Sequence, residues 1–295
     1  MTKPTLSSDR AIRHPREDLL GRAPYANAIA REILSAPKGE GFVVGLLGPW
    51  GSGKSSLLNL MARRLEAGGS VVVRFNPWLF SGTEQLIHIF FNELSAQLKL
   101  KRDSSLKEIG TSLKQYGDLL SPLKYIPGVG QFAGPLTDAA KAAGRFIAAG
   151  EKSIDRERQD MERELVQVDR QIVVLIDDID RLQPQEVRDI VRLVRLTADF
   201  PNCIYVLAFD EKRVERHLDD DPAEGRAYLE KILQTTHAVP PIREADLRRI
   251  LGEEIDKVLE SCATRPVDEV EARNIFYLCG ASHFRVAENG GLRAW

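Results

Sequence analysis

Eight residues, Gly48-Pro49-Trp50-Gly51-Ser52-Gly53-Lys54-Ser55, join two patterns that need different backbones. Ahead of them, Phe42-Val43-Val44-Gly45-Leu46-Leu47 is a short apolar run that reads as a strand buried in a parallel sheet. Behind them, Leu57, Leu58, Met61 and Leu65 recur at helical spacing, so a helix starts at the Lys-Ser pair. The octet fits G-x-x-x-x-G-K-[ST] at every fixed position, and the strand-to-helix setting gives the string its weight. Glycine lets the backbone curl until successive N–H groups point at an anion, and the helix N-terminus adds the positive end of its dipole. The expectation is a phosphate cradle over residues 48–56, with Ser56 in the first helical turn. Lys54 reaches the β- and γ-phosphates of a nucleotide, and the Ser55 hydroxyl holds Mg²⁺. An ordinary glycine-rich turn would require neither flanking element.

A second run, Ile172-Val173-Val174-Leu175-Ile176-Asp177-Asp178-Ile179-Asp180-Arg181, is apolar for five residues and then acidic. In an open parallel sheet, ligands sit beyond the carboxyl ends of strands. Asp177 is thereby placed to hold Mg²⁺ through Ser55 or a water, and Asp178 to orient or deprotonate an attacking water. The competing reading is a solvated turn that caps the next helix, since Asp is a common N-cap. The upstream cradle favours the catalytic reading, because two parts of one site then occur in the expected chain order.

Composition excludes several classes. A chain of 295 residues can bury a large core, as one big domain or two smaller ones. Charged residues make up 28% but nearly cancel, to a formal −2, so there is no global drive toward nucleic acid or an anionic membrane. Cys203, Cys262 and Cys279 fit no zinc or redox spacing, and their sparse, odd number favours a reducing cytoplasm. Residues 1–16 carry no apolar secretory core, and no stretch reaches 18 uninterrupted apolar residues.

Further elements follow from the same patterns. Residues 1–16 read as a loosely held arm, and Tyr25, Ile29, Ile33 and Leu34 mark a helix stopped near Pro37. Val71–Phe75 is a strand leading into Asn76-Pro77-Trp78. Ser81 and Glu84, at capping-box spacing, open a helix with Leu86, Ile87, Phe90, Phe91, Leu94 and Leu98 on its apolar side. Residues 101–169 look like a helical insertion, with Gly, Ala and Pro concentrated from Pro122 to Gly150 and an exposed, charge-dense helix over Glu151 to Glu164. Strands resume at 172–176 and 203–209, with a helix between them that starts near Pro184 and buries Val187, Ile190, Val191 and Val194. A last short strand is expected at His237-Ala238-Val239, and residues 243–295 read as a helical end region. Residues 1–100 and 170–242 together make a split core of alternating strands and helices, predicting an α/β doubly wound parallel sheet covered on both faces.

The chain resembles the KAP family of P-loop NTPases, near the AAA+ and STAND ATPases. The resemblance is carried by Glu17-Asp18-Leu19-Leu20-Gly21-Arg22 with Tyr25-Ala26, by Gly45 to Ser55, and by Arg74-Phe75-Asn76-Pro77-Trp78. It continues in Ile176 to Leu182, Val206-Leu207-Ala208-Phe209-Asp210 and Tyr228 to Gln234. It implies ATP as the nucleotide and a five-stranded sheet of order 5-1-4-3-2. It also implies Asp210 as a sensor-like residue near the γ-phosphate, and Arg22 and Tyr25 near the base. Family members act in signalling at membranes and in bacterial defence against phage or plasmids. Two departures stand out. Many members have two membrane spans between the cradle and the acidic strand, whereas here Leu123 to Ala149 is interrupted by Lys124, Gln131, Asp138, Lys141 and Arg145. A charge near a bilayer centre costs several kcal/mol, so the expectation is a helical hairpin packed on the core, with a shallow membrane-surface helix as the alternative. Members also usually carry a longer helical lid with a basic residue that reaches the nucleotide. Arg285 is the nearest candidate for it here.

Arg181 is read either as a cation on the γ-phosphate, supplied to a neighbouring subunit, or as an ion-pair partner of Asp178 or Asp180. Arg243, Arg248 and Arg249 read as a solvated face rather than a nucleic-acid surface, because Glu253, Glu254 and Asp256 follow. Trp50 and Trp78 read as packed loop residues. Three function classes stay open: an ATPase that drives a conformational switch through self-association or a protein partner, an ATP-gated scaffold with little turnover, and a phosphotransferase. A GTPase is disfavoured because no [NT]-K-x-D motif occurs in the sequence.

Overall fold

The computed structural model describes residues 10–82, 86–120, 154–262, 284–286 and 292–294. Among these the chain forms two compact units, one from residues 23–239 and one from the described parts of 1–22 and 240–295.

The larger unit is built on five parallel strands: β1 (Phe42–Leu47), β2 (Val71–Phe75), β3 (Ile172–Ile176), β4 (Cys203–Phe209) and β5 (Thr235–Ala238). Their order is β2-β3-β4-β1-β5, which is the expected 5-1-4-3-2 read from the other edge. The three central strands are apolar and buried at nearly every position, as both faces of the sheet are covered. Helices α1 (Ala23–Leu34), α2 (Lys54–Ala67), α3 (Leu86–Lys99), α4 (Ser104–Leu120), α5 (residues 154–167), α6 (Pro184–Thr197), α7 (Glu211–Leu218) and α8 (Pro222–Glu230) surround it. Parallel pairing requires a crossover between neighbours, and these helices supply it.

The edge strand β2 is closed by a side chain. Gln97 on α3 accepts from the Arg74 backbone N–H at 2.9 Å and donates to its carbonyl at 2.7 Å. The outward-facing backbone of the edge is thus paired as a neighbouring strand would pair it.

Residues 104–120 belong to the core. Leu106, Ile109, Leu113 and Tyr116 of α4 are buried in the same apolar cluster as Phe90 and Phe91 of α3. Edge-to-face aromatic contacts run from Phe75 to Phe90 (5.1 Å), Phe90 to Phe91 (5.3 Å), Phe91 to Tyr116 (5.6 Å) and Tyr116 to Phe200 (6.0 Å). Gly117 permits the approach of α4, since a Cβ there would lie 2.5 Å from Phe91 Cβ.

Three expectations change. The charge-dense helix α5 is not simply exposed, because Met161 and Leu165 within it are fully buried. Two apolar residues four apart among many charges give a narrow stripe that composition hides. The last strand begins two residues early, at Thr235, and ends at Ala238. An edge strand with alternate residues half-buried carries little apolar signal. The smaller unit is helical through α9 (Glu244–Cys262) but then carries an antiparallel pair, β6 (Phe284–Val286) and β7 (Leu292–Ala294), where a helical end region was expected. Three-residue strands are too short to show a periodicity. The expected hairpin over Leu123 to Ala149 lies outside the described residues. No helix among the described residues is long and apolar enough to cross a membrane.

Leu106→Ala should lower stability by about 2–5 kcal/mol, the usual cost of emptying a fully buried leucine site. Chemical denaturation followed by far-ultraviolet circular dichroism measures this. A loss near zero would show that α4 is appended to the core rather than part of it.

Candidate functional site

Strand register brings the candidate residues together at the carboxyl edge of the sheet. Phe75 pairs with Ile176, Ile176 with Leu207, and Leu47 with Phe209 and Ala238. Two bonds carry the alignment one residue further: Asp177 N–H donates to Phe75 O at 3.1 Å, and Gly48 N–H donates to Phe209 O at 3.1 Å. Asn76, Asp177, Gly48 and Asp210 therefore leave the sheet side by side.

The loop over Gly48–Gly53 has the backbone the octet requires. Gly51 and Gly53 hold φ of +78° and +93°, left-handed values that a side chain resists. A Cβ on Gly48 would come within 2.6 Å of Ser52 Oγ. Lys54 opens α2 and is only 8% exposed. Its ammonium donates to Gly48 O at 2.9 Å and Pro49 O at 3.2 Å, so the cation lies against the loop that would cradle a phosphate. Ser52 N–H closes a turn onto Pro49 O at 3.2 Å. Trp50, at the centre of that turn, is 69% exposed, contrary to the expected packing. Central side chains of a tight turn project away from it.

Ser55 and Asp177 are hydrogen-bonded across the gap between α2 and β3. Burial raises the Asp177 pKa above the usual carboxylate value. The neighbouring Asp178 adds to the rise, while Ser55, the Asp178 N–H and Lys54 oppose it. A half-buried carboxylate whose charge is disfavoured, facing a hydroxyl, is a donor set that a divalent cation would suit. Ser55, Asp177 and Asp178 also line one end of a cavity of about 460 Å³. The cavity runs past Asn59, Arg74 and Asn76 to Leu79 and Phe80.

Asp178 is held at both oxygens. Asn76 Nδ2 donates to Oδ2 at 2.8 Å, and Arg181 Nε lies 2.8 Å from Oδ1. Its backbone is left-handed, with φ of +58°, in a conformation that costs about 1–2 kcal/mol for most residues and less for Asp. The Asp178 N–H bonds to Asp177 Oδ1 at 2.9 Å, which ties the two carboxylates together. The Arg181 guanidinium also lies 5.0 Å from the Trp78 ring centroid, so Trp78 is a half-exposed platform rather than a packed residue. Of the two readings of Arg181, the one realised here is the ion pair, and its partner is Asp178.

Asn76 was not singled out in the sequence. Its Oδ1 accepts from Trp78 N–H at 3.1 Å to cap the short 3-10 turn Pro77–Phe80, and its Nδ2 holds Asp178. The signal lay in Asn-Pro directly after a strand, a turn-opening pair. Glu186 is a second omission. It accepts from Ser81 Oγ at 2.7 Å and Gly82 N–H at 2.6 Å, so the Ser81 hydroxyl bonds to α6, while Glu84 of the expected capping box lies outside the described residues. Burial works to raise the Glu186 pKa, but these donors and Gln183 N–H outweigh it, and the net shift is downward.

Asp210 caps α7, accepting from Arg213 N–H at 3.4 Å. Tyr25 donates from its hydroxyl to Ala238 O at 2.7 Å, at the end of β5. Arg22 belongs to the smaller unit, where it donates to Pro240 O at 2.6 Å. Arg243, Arg248 and Arg249 pair with Asp246, Glu244 and Glu253, as a solvated face would. The side chain of Arg285 lies outside the described residues.

The parallel sheet, the glycine-rich loop and the Ser55–Asp177 pair define a nucleotide-binding P-loop NTPase domain. The chain belongs to the KAP family: the model of the KAP family P-loop domain matches residues 22–278. A curated relative, the phage T7 exclusion protein of Escherichia coli (strain K12), is 27% identical over 292 residues, which is 90% of this chain and 39% of the relative. The chain thus spans well under half of that protein. Among solved structures, Cdc6p from Pyrobaculum aerophilum is 13% identical with a TM-score of 0.44, covering 83% of this chain and 51% of that one. The Aeropyrum pernix ORC1 protein, solved in complex with DNA, is 16% identical with a TM-score of 0.38, covering 84% and 51%. Likenesses this distant carry no further argument.

Asp177→Asn should raise the melting temperature of the nucleotide-free protein, because a carboxylate whose charge is disfavoured there is replaced by a neutral amide. The same variant should lose the extra stabilisation that Mg²⁺ adds to ATP binding. Thermal melts with and without Mg²⁺ and ATP measure both. A lower melting temperature without ligand would show that the Asp177 charge is well compensated.

Proposed function

We propose that this chain hydrolyses ATP and uses the cycle as a conformational switch. The observation that supports it best is the meeting of Lys54, Ser55, Asp177 and Asp178 at the carboxyl edge of the sheet, the first two at the start of α2 and the acids at the end of β3, one strand removed from β1. Residues 48–56 would bind the phosphates, with Lys54 on the β- and γ-phosphates. Ser55 and Asp177 would hold Mg²⁺, which when bound offsets phosphate charge. Asp178 would position the attacking water and accept its proton. Asp210, one strand over, would sense the γ-phosphate, and Arg22 and Tyr25 would lie toward the base. Choice of ATP rests on the family resemblance and on the missing [NT]-K-x-D motif.

In the described conformation each Asp178 oxygen already accepts one bond, from Asn76 and from Arg181, which draws electron density from the carboxylate and weakens it as a base toward water. The same observation favours a second reading, an ATP-gated scaffold with little turnover. We reconcile the two as a slow ATPase whose rate rises when Asn76 and Arg181 let go of Asp178. Release of Arg181 frees a cation as well as a base, and a cation on the γ-phosphate raises related rates by about 10³–10⁵. Self-association or a protein partner would supply the trigger. For Arg181 to act on a neighbouring copy, its pair with Asp178 must first break. The name of the phage T7 exclusion protein supports a role in phage defence.

Lys54→Ala should weaken ATP binding by about 10- to 100-fold, since a bond to a charged group contributes about 1.5–3 kcal/mol. Titration with a fluorescent ATP analogue tests it, and unchanged affinity would remove the cradle reading. Asp178→Asn should keep that affinity and lower hydrolysis by about 10²–10⁴. Turnover at the parental rate would exclude Asp178 as the water-positioning acid.

Asn76→Ala should raise basal turnover by about tenfold, because one bond to a charged group no longer restrains Asp178. A steady-state phosphate-release assay measures it. A fall in rate instead would mean that Asn76 holds Asp178 in its working position.

A further inference from the structure

A second cavity, of about 240 Å³, lies on the face of the larger unit built by α6, α7 and α8. Its lining includes Arg188, Arg192 and Lys231, together with Tyr228 and the acids Asp219 and Glu224. None of these residues lines the cavity beside Asp177.

The cations there are not consumed by internal pairing. Among the described residues, neither the Arg192 nor the Lys231 side chain makes a hydrogen bond or an ion pair, and the Arg188 side chain spends only Nε, on Leu218 O at 3.2 Å. Elsewhere on the same surface, arginines do find acids, as Arg226 does with Glu230 at 3.2 Å. Of the two lining acids, Asp219 is already bonded to Asp221 N–H at 3.0 Å. Arg188 and Arg192 are four apart on α6, an arrangement of like charges that weakens an isolated helix. Next to the cavity, burial lowers the His217 pKa, and Arg213, Arg216 and Arg188 lower it further, against the pull of Asp180.

The cavity is held open by the fold. Gly225, on its wall, sits where a Cβ would meet Glu215 O at 2.2 Å, so α8 lies directly on α7. Arg188, half-buried, is anchored by its bond to the end of α7. Unpaired guanidinium groups in a fixed cleft match the geometry of phosphate oxygens. The volume is below that of sites for drug-sized ligands. It suits a phosphate or pyrophosphate group, with Tyr228 and Leu218 beside it for whatever carries the group.

We propose that the α6–α8 cavity is a second anion site that binds a phosphate group, separate from the 48–56 cradle. The group comes either from a free phosphorylated ligand or from nucleotide held by a second copy of this chain. The proposal does not depend on hydrolysis, only on the geometry of α6, α7 and α8.

The test uses the full chain in two arms. In the first, Lys54→Ala removes the cradle lysine, and inorganic pyrophosphate is titrated by calorimetry. Binding is expected, and Arg192→Ala with Lys231→Ala should weaken it by about tenfold or more, as the loss of bonds to a charged group implies. Arg226→Ala, next to the cavity but paired with Glu230, should leave it unchanged. In the second arm, sedimentation of the chain with intact Lys54 measures association in ATP, with and without the Arg192→Ala and Lys231→Ala pair. Pyrophosphate binding lost in the double variant identifies a free ligand. ATP-dependent association lost in the double variant identifies a second copy. If pyrophosphate does not bind, or binds equally to both forms, and association is also indifferent to the two substitutions, the proposal is overturned. The substituted residues are exposed, and unchanged melting temperatures confirm that the variants fold.

Discussion

The register of β3 between β2 and β4 is the constraint on which the rest of the site depends. In parallel strands, a shift of one residue turns every side chain to the other face. Here the pairing of Phe75 with Ile176 sets Asn76 beside the acidic pair, and the pairing of Ile176 with Leu207 keeps both in step with β4. Since β4 in turn pairs with β1, the loop that follows β1 emerges at the same level. The loop at Gly48–Gly53 and the Asp177-Asp178 pair are far apart in sequence, and the backbone ladders of the sheet bring them to one level.

The buried strands were legible in the sequence for the same reason that they are buried. Residues covered on both faces are apolar, and Phe42–Leu47, Ile172–Ile176 and Cys203–Phe209 read directly, as does the edge strand Val71–Phe75, where only Arg74 breaks the apolar run. The loop was legible because only glycine tolerates the backbone at 51 and 53. Less legible was β5, an edge strand whose Thr235 and Thr236 carry no such signature. The buried face of α5 was hidden by its charged surroundings.

Within the site, positions on the chain were easier to read than pairings. Lys54, Ser55, Asp177 and Asp178 follow from motif and spacing. That Asn76 reaches Asp178 depends on how β2 and β3 lie beside one another, which no local pattern states. Arg181 showed the limit from the other side. Its charge suggested either a phosphate or an acid, and the left-handed turn at Asp178 brings the acid within reach three residues away. The Trp78 ring then lies against the Arg181 guanidinium from a turn that is distant in sequence.

Glu186 gives this arrangement a mechanical character. Through Ser81 and Gly82 it fastens the end of the Asn76–Gly82 segment to the first turn of α6, and α6 also carries Arg188 and Arg192. A displacement of that segment must therefore strip two donors from a buried carboxylate or drag the helix along as a rigid rod. Stripping the donors costs more than a small helix shift, because a buried acceptor left unsatisfied carries its full desolvation penalty. α6 thus joins the Asn76–Gly82 segment, which holds Asp178, to the cavity lined by Arg188 and Arg192. By reciprocity of linked equilibria, any coupling between the two would carry the same free energy in both directions.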